Sequence, residues 1–248
     1  MKKITIIIFG VAGIISSCGK VNEYKNDIWS PAVFINASPG VSGSLPQPGL
    51  HVFIDTFQKS SSVIAYRGGS GYISASPGSR KVQLRSSIDL KTNFIDLGAE
   101  TFTSNKASTY FIYDTLSAAN QKLKTLRLDD NLTLPDAGFV NFRFLNAAVN
   151  SAPLDVTFLR TSVTPNDSVT VTNQPYIGAS PNAANFSPFN KKLPLGVYTI
   201  KLKATGTQTV LVTPATLTLS PYSTIHTFFT TGTAVGLPLS FASVRHYQ

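Results

Sequence analysis

The chain carries a single cysteine, Cys18, and three histidines in 248 residues. No internal disulfide can form, so any folded domain here must be held by its apolar core, and the roughly 230 residues beyond Cys18 are enough to build one. His51, His226 and His246 have no partner at metal-ligand spacing, and no nucleophile motif or orienting acid accompanies them. His51 and His226 fall in apolar strands as packed or outward-facing residues, and His246, close to the C-terminus, is expected to fray. Acids are scarce too: beyond Phe139 only Asp155 and Asp167 occur, whereas glycoside hydrolysis ordinarily takes two carboxylates flanking a sugar cleft. The ten earlier acids are dispersed except for Asp129-Asp130-Asn131, which lacks the spaced acidic loop of a calcium site and is expected to be a solvated turn. Gly68-Gly69-Ser70-Gly71 has no Lys-Ser/Thr and no helix after it, which excludes a phosphate cradle and leaves a glycine bend between strands. The longest apolar run, Ile4 to Ile15, falls well short of the ~20 residues that span a bilayer. No catalytic residue, cofactor or metal is expected, and the protein is read as a non-enzyme.

What is present starts at the N-terminus. Lys2 and Lys3 precede the apolar run, and Ile15-Ser16-Ser17-Cys18 closes it. This arrangement resembles a bacterial lipoprotein signal, which needs small side chains before a cysteine whose thiol is free for diacylglycerol transfer. Residues 1–17 are therefore expected to be a signal peptide, Cys18 the lipid attachment site, and the polar stretch 18–30 a tether. Acyl chains at ~0.8 kcal/mol per buried methylene hold a domain on a membrane without any spanning segment. The expected location is the cell envelope, lipid-anchored at the outer membrane, with its side left open. Removing Lys2 and Lys3 from the 21 basic residues leaves 19 against 12 acids, a mature charge of +7. The excess lies in the second half, where Arg143, Arg160, Lys191, Lys192, Lys201, Lys203 and Arg245 face two acids. A surface of that sign attracts anionic head groups or acidic polysaccharide. The basic residues are scattered and lack interleaved aromatics, so nucleic acid is not an expected partner.

Beyond Ser30 the sequence consists of short Val/Ile/Thr/Tyr/Phe runs between Gly, Pro, Asn and Ser, and only Leu116 to Leu126 has room for one or two helical turns. The runs occur twice in the same order. Ala32-Val33-Phe34-Ile35-Asn36-Ala37 corresponds to Phe142-Arg143-Phe144-Leu145-Asn146-Ala147, and Leu50 to Asp55 to Leu154-Asp155-Val156-Thr157-Phe158. Gly78 to Leu84 corresponds to Gly196 to Leu202, and the strand ending at Tyr113 to the one through Phe229. Apolar residues alternate with Arg, Lys, Gln or Thr in the Gly78 and Gly196 strands, as sheets with one wet face require. Turn signals every ~8 to 12 residues favour two tandem immunoglobulin-like antiparallel β-sandwiches, an all-β fold, over one large barrel. The boundaries are expected at 31–136 and 138–248, around Leu134-Pro135-Asp136-Ala137-Gly138.

The ordered set Asn36-Ala37-Ser38-Pro39, Val52-Phe53-Ile54-Asp55, Tyr72 and Pro77-Gly78, with the strand from Ser108 to Tyr113, resembles the DUF4397 family of bacterial exported β-sandwich modules. In the second set Asn146-Ala147-Ala148 replaces the turn, Leu154-Asp155-Val156 keeps the aspartate-bearing strand, and Gly178 to Lys192 is longer than the family pattern. The resemblance implies two tandem copies and export, and no activity. Aromatics supply the remaining candidates: Tyr66 and Tyr72 flank the glycine bend, and Tyr176, Phe186 and Phe189 lie in a long Pro/Asn/Ser-rich loop. Displayed on loops of a rigid sandwich, such rings contact a sugar or a protein partner; otherwise they plug the sandwich ends. Asp114-Thr115-Leu116 and Asp167-Ser168-Val169 resemble the acceptor motif of Bacteroidetes O-glycosylation, at Thr115 and Ser168. These features point to a non-enzymatic binding or structural module of the envelope, with a glycan hydrolase or an adhesin-like binder of acidic polysaccharide as alternatives. The oligomeric state is left open.

Overall fold

β-branched and aromatic runs set between Gly, Pro and Asn turns make strands of most of this chain in the computed structural model. Residues 29–41, 49–116, 123–160, 167–178, 180–222, 224–232 and 237–246 are described. The first ten strands are β1 (Ser30–Asn36), β2 (Gly40–Val41), β3 (Leu50–Ile54), β4 (Phe57–Gln58), β5 (Gly69–Ala75), β6 (Gly78–Ser86), β7 (Asn93–Phe102), β8 (Ala107–Tyr113), β9 (Thr115–Leu116) and β10 (Lys124–Asp130). Eight follow: β11 (Phe139–Asn146), β12 (Leu154–Arg160), β13 (Asp167–Gln174), β14 (Lys191–Pro194), β15 (Gly196–Ala204), β16 (Ala215–Leu219), β17 (Ile225–Thr231) and β18 (Ser240–His246). Among the described residues the one helical element is a 3-10 turn, Ala183–Asn185, capped by the Asn182 side chain. The stretch expected to hold helical turns instead supplies β9 and the start of β10, because Lys124 to Leu126 pair with Phe111 to Tyr113; residues 117–122 of that stretch lie outside the described ones.

The first sandwich packs sheet β10-β8-β1-β5 on sheet β4-β3-β6-β7, and the second packs β14-β11-β17-β18 on β13-β12-β15-β16. Two tandem immunoglobulin-like sandwiches are therefore present. If β1 is matched to β11, β3 to β12, β6 to β15, β8 to β17 and β10 to β18, both have the same strand order. Pairing is antiparallel except for a central parallel pair in each, β1 with β8 and β11 with β17, and the short β2–β9 pair. Two corresponding asparagines turn the chain at the same place: Asn36 Oδ1 accepts from the Ser38 N–H, and Asn146 Oδ1 from the Ala148 N–H.

Each sandwich has its own core. Ala32, Phe34, Val52, Leu84 and Tyr110 belong to the first, and Phe142, Phe158, Ile200, Leu202 and Phe228 to the second. A third core lies between the sandwiches, made by the opposite faces of the same central strands: Val33, Ile35, Phe111 and Leu128 meet Leu145, Ala147, Phe229 and Ala242. The molecule is four sheets deep, and the central strands of its two inner sheets are dry on both faces. Hence β8 and β17 are buried at every position, including the polar Ser108, Thr109, His226, Thr227, Thr230 and Thr231. Gly69 permits the close approach at one edge of this third core, since a Cβ there would sit 2.9 Å from Val244 Cγ1 of β18.

Candidate functional site

Side-chain parity builds the seam between the sandwiches. Along β8 the residues 107, 109, 111 and 113 face it, along β10 126, 128 and 130, along β11 141, 143 and 145, and along β18 242, 244 and 246. At one end these positions are apolar. At the other they become Thr109, Asp130, Arg143, Thr227 and His246, and the charges meet in the dry interior. Arg143 and Asp130 form an ion pair at 2.8 Å with side chains 2% and 0% exposed.

All three nitrogens of the guanidinium are engaged. Nε donates to Thr227 Oγ1 (2.8 Å), Nη2 to Thr109 Oγ1 (2.6 Å), and Nη1 to the Ser187 carbonyl (3.2 Å) besides its carboxylate. The guanidinium Cζ lies over the Phe189 ring, 4.3 Å from the centroid. Asp130 accepts from Thr109 Oγ1 and, at 3.0 Å, from Tyr72 Oη. His246 closes the ring, with Nδ1 2.7 Å from Tyr72 Oη and Nε2 2.8 Å from Thr227 Oγ1. Because the single Tyr72 proton goes to Asp130, donor counting assigns the imidazole proton to Nδ1, which donates to Tyr72; Nε2 then accepts from Thr227. Burial, then the Arg143 charge and His226, holds the His246 pKa well below the usual histidine value, which agrees with a neutral ring. Burial raises the Tyr72 pKa, and the Asp130 charge raises it further. These two sandwiches are thus joined by a closed, satisfied polar network, the kind that specifies one geometry.

The sequence-derived candidates fall as follows. Tyr72, Tyr176 and Phe186 pack against the third core, so they are interface residues rather than displayed rings. Phe189 is buried, edge-on to His246 at 4.9 Å as well as over Arg143. The long loop carrying these rings is folded over the seam, and plugging describes them better than display. Tyr66 is half-buried and reaches Thr231 Oγ1 of the other sandwich at 3.4 Å. Thr115 is half-buried in β9, Ser168 is exposed on the edge strand β13, and Cys18 lies outside the described residues.

Three expectations are corrected. His246 does not fray, because β18 pairs with β17 up to Ile225↔His246 and the ring is bonded at both nitrogens. Asp130 is no solvated turn residue but the end of β10, turned inward by strand parity. Arg143 does not belong to a basic surface. Sequence reading missed Arg143, Asp130, Thr109 and Thr227; the available signal was a lone arginine flanked on both sides by phenylalanine, Phe142 and Phe144.

Chemically, Asp130, His246 and Thr227 contain the residue types of a nucleophile relay. Thr227 is fully buried, however, and its oxygen already accepts from Arg143. Other acids are spoken for: Asp155 accepts from the Asn173 and Gly206 N–H groups, which lower its pKa, and Asp167 pairs with Arg160 at 2.7 Å. Among the described residues no group of three His, Cys, Asp or Glu is placed to hold a metal. Beyond the ion pair the seam opens into a cavity of about 580 Å³, bordered by both sandwiches.

The model of one family, described as Domain of unknown function (DUF4397), matches residues 32–157, from β1 through the first sandwich into β12. No curated protein matches the chain. Among solved structures, the crystal structure of CBMbc (family CBM26) from Eubacterium rectale Amy13K in complex with maltoheptaose aligns with 88% of this chain and 98% of its own at 10% identity. Its TM-score of 0.27 is too low to argue from.

Proposed function

Since the chain belongs to the DUF4397 family, we propose that it is a non-enzymatic binding or structural module of the bacterial cell envelope, carried on a membrane by lipid at Cys18. The observation that carries the non-enzymatic part is the sealed seam. Among the described residues, the constellation of Thr227, His246 and Asp130 is desolvated and internally satisfied, and serves to lock two sandwiches into one block. An envelope glycan hydrolase would need two carboxylates facing a common cleft. Asp129 and Asp130 both border the seam cavity, but Asp130 is bonded to Arg143, Thr109 and Tyr72, which leaves Asp129 without a second free carboxylate beside it.

The proposed organisation is a signal peptide at 1–17, a tether at 18–30, and family copies at 31–136 and 138–248, the second supported by its identical strand order. Outer-membrane placement and modification at Thr115 and Ser168 belong to the same proposal, with envelope polysaccharide or protein as the partner. The adhesin-like reading, based on positive charge, is weakened because Arg143 is buried, Arg160 pairs with Asp167 and Lys192 with Asp136. The test of anchoring is Cys18→Ala. Wild type should incorporate radiolabelled palmitate and fractionate with membranes, and the variant should accumulate as uncleaved or soluble precursor. Equal palmitate incorporation by both sinks the lipoprotein assignment.

A further inference from the structure

The cavity beyond the Arg143–Asp130 pair differs in chemistry from the rest of the seam. Strand parity that brings Leu145 and Arg143 to the interface brings Asn141 to the cavity wall, and its Oδ1 is buried with no hydrogen-bond partner among the described residues. A buried acceptor left unpaired is costly, so a turn of the Asn141 carboxamide that brings it to a donor held in the cavity is favoured. Around it stand three more carboxamides, Asn105, Asn131 and Asn190, with Lys106 and Asp129 supplying one charge of each sign and the charge of Asp130, also on the wall, met by Arg143. Both sandwiches contribute, so the site exists only in the locked pair. Its volume of about 580 Å³ lies within the ordinary range for small-ligand sites.

We propose that this seam cavity binds a neutral saccharide, an inference that rests on the binding-module reading above. Thr133 holds the Oδ1 of Asn131 and Lys191 that of Asn190, so these two turn N–H donors to the ligand, and the carboxamides together offer donors and acceptors that match hydroxyl groups, which do both. The balanced Lys106 and Asp129 favour a ligand without net charge. The ring of Phe189 is already covered by Arg143 on a face and by His246 at its edge, so hydrogen bonding rather than ring stacking holds the ligand. Asn141 anchors from the wall, while Asn190, exposed at the rim, adds a second contact.

The test uses the full lipidated chain in a detergent without a sugar head group. Saturation-transfer NMR is run with neutral gluco-, galacto- and manno-oligosaccharides and N-acetylglucosamine oligomers, together with an assay for released reducing ends. At least one of these probes should bind. Both Asn141→Leu and Asn190→Ala should weaken it by about tenfold or more, the weight of a hydrogen bond to a ligand hydroxyl. Asn141→Leu should do so with an unchanged or raised melting temperature, because it removes an unpaired acceptor; a purely structural Asn141 would lower it. Absence of saturation transfer from every probe overturns the inference. So does binding that neither variant alters, which would leave the binding-module reading standing with its site elsewhere. Release of reducing ends would overturn the non-enzymatic reading and leave the site in place.

Discussion

At the scale of single residues, Arg143 and Asp130 show how a costly pair is tolerated. Two charges buried together are stabilised only if geometry is good and the remaining protons and lone pairs are met, as they are here by Thr109, Thr227, Tyr72 and Ser187. Removing one partner strands the other. Asp130→Ala should therefore cost about 3–5 kcal/mol in chemical denaturation, whereas Asp130→Leu combined with Arg143→Met should recover much of the loss. Equal loss in the single and double variants would show that the pair is not coupled. His246 adds a pH dependence. Its folded pKa lies well below the ordinary 6.5, so the unfolded chain binds an extra proton as pH falls through that value. Its contribution is full above about pH 6.5 and is progressively lost below it, and His246→Gln should flatten this part of the stability profile. An identical profile in the variant would show that another group governs it.

At the scale of elements, the inner strands carry two duties. β11 gives Phe142 and Phe144 to its own sandwich and Arg143 and Leu145 to the seam, and β1 divides Phe34 from Val33 and Ile35 in the same way. The continuous run Ala32-Val33-Phe34-Ile35 is the local counterpart of this double burial, since a strand with one wet face alternates, but in the sequence it served only to align the two motif sets. The approach of β5 to β18 depends on Gly69. Gly69→Val should destabilise by about 1–3 kcal/mol through contact with Val244, and Val244→Ala in the same chain should restore much of it, as read by urea midpoints. An unperturbed midpoint in the single variant would mean that the two strands part without cost.

At the scale of the whole molecule, the third core makes the sandwiches interdependent. Ile35, Phe111 and Leu128 would form an exposed apolar patch if the first sandwich stood alone, with Asp130 deprived of its arginine. Calorimetry of the full chain should show one cooperative transition, and a fragment ending at Asp136 should aggregate or melt well below it. Two resolved transitions, or a fragment as stable as the whole, would make the seam a mere contact.

The sequence by itself determined the strand content and the two-fold order of motifs, because alternation and turn residues are local properties that act within a few positions. The stacking of one sandwich on the other was decided by tertiary structure. Nothing local distinguishes an arginine that snorkels to water from one that meets an aspartate 13 positions earlier across a sheet interface. The aromatic loop reads as a displayed surface for the same reason: Tyr176, Phe186 and Phe189 sit among polar residues in the chain, and only the sheet packed above them removes them from water.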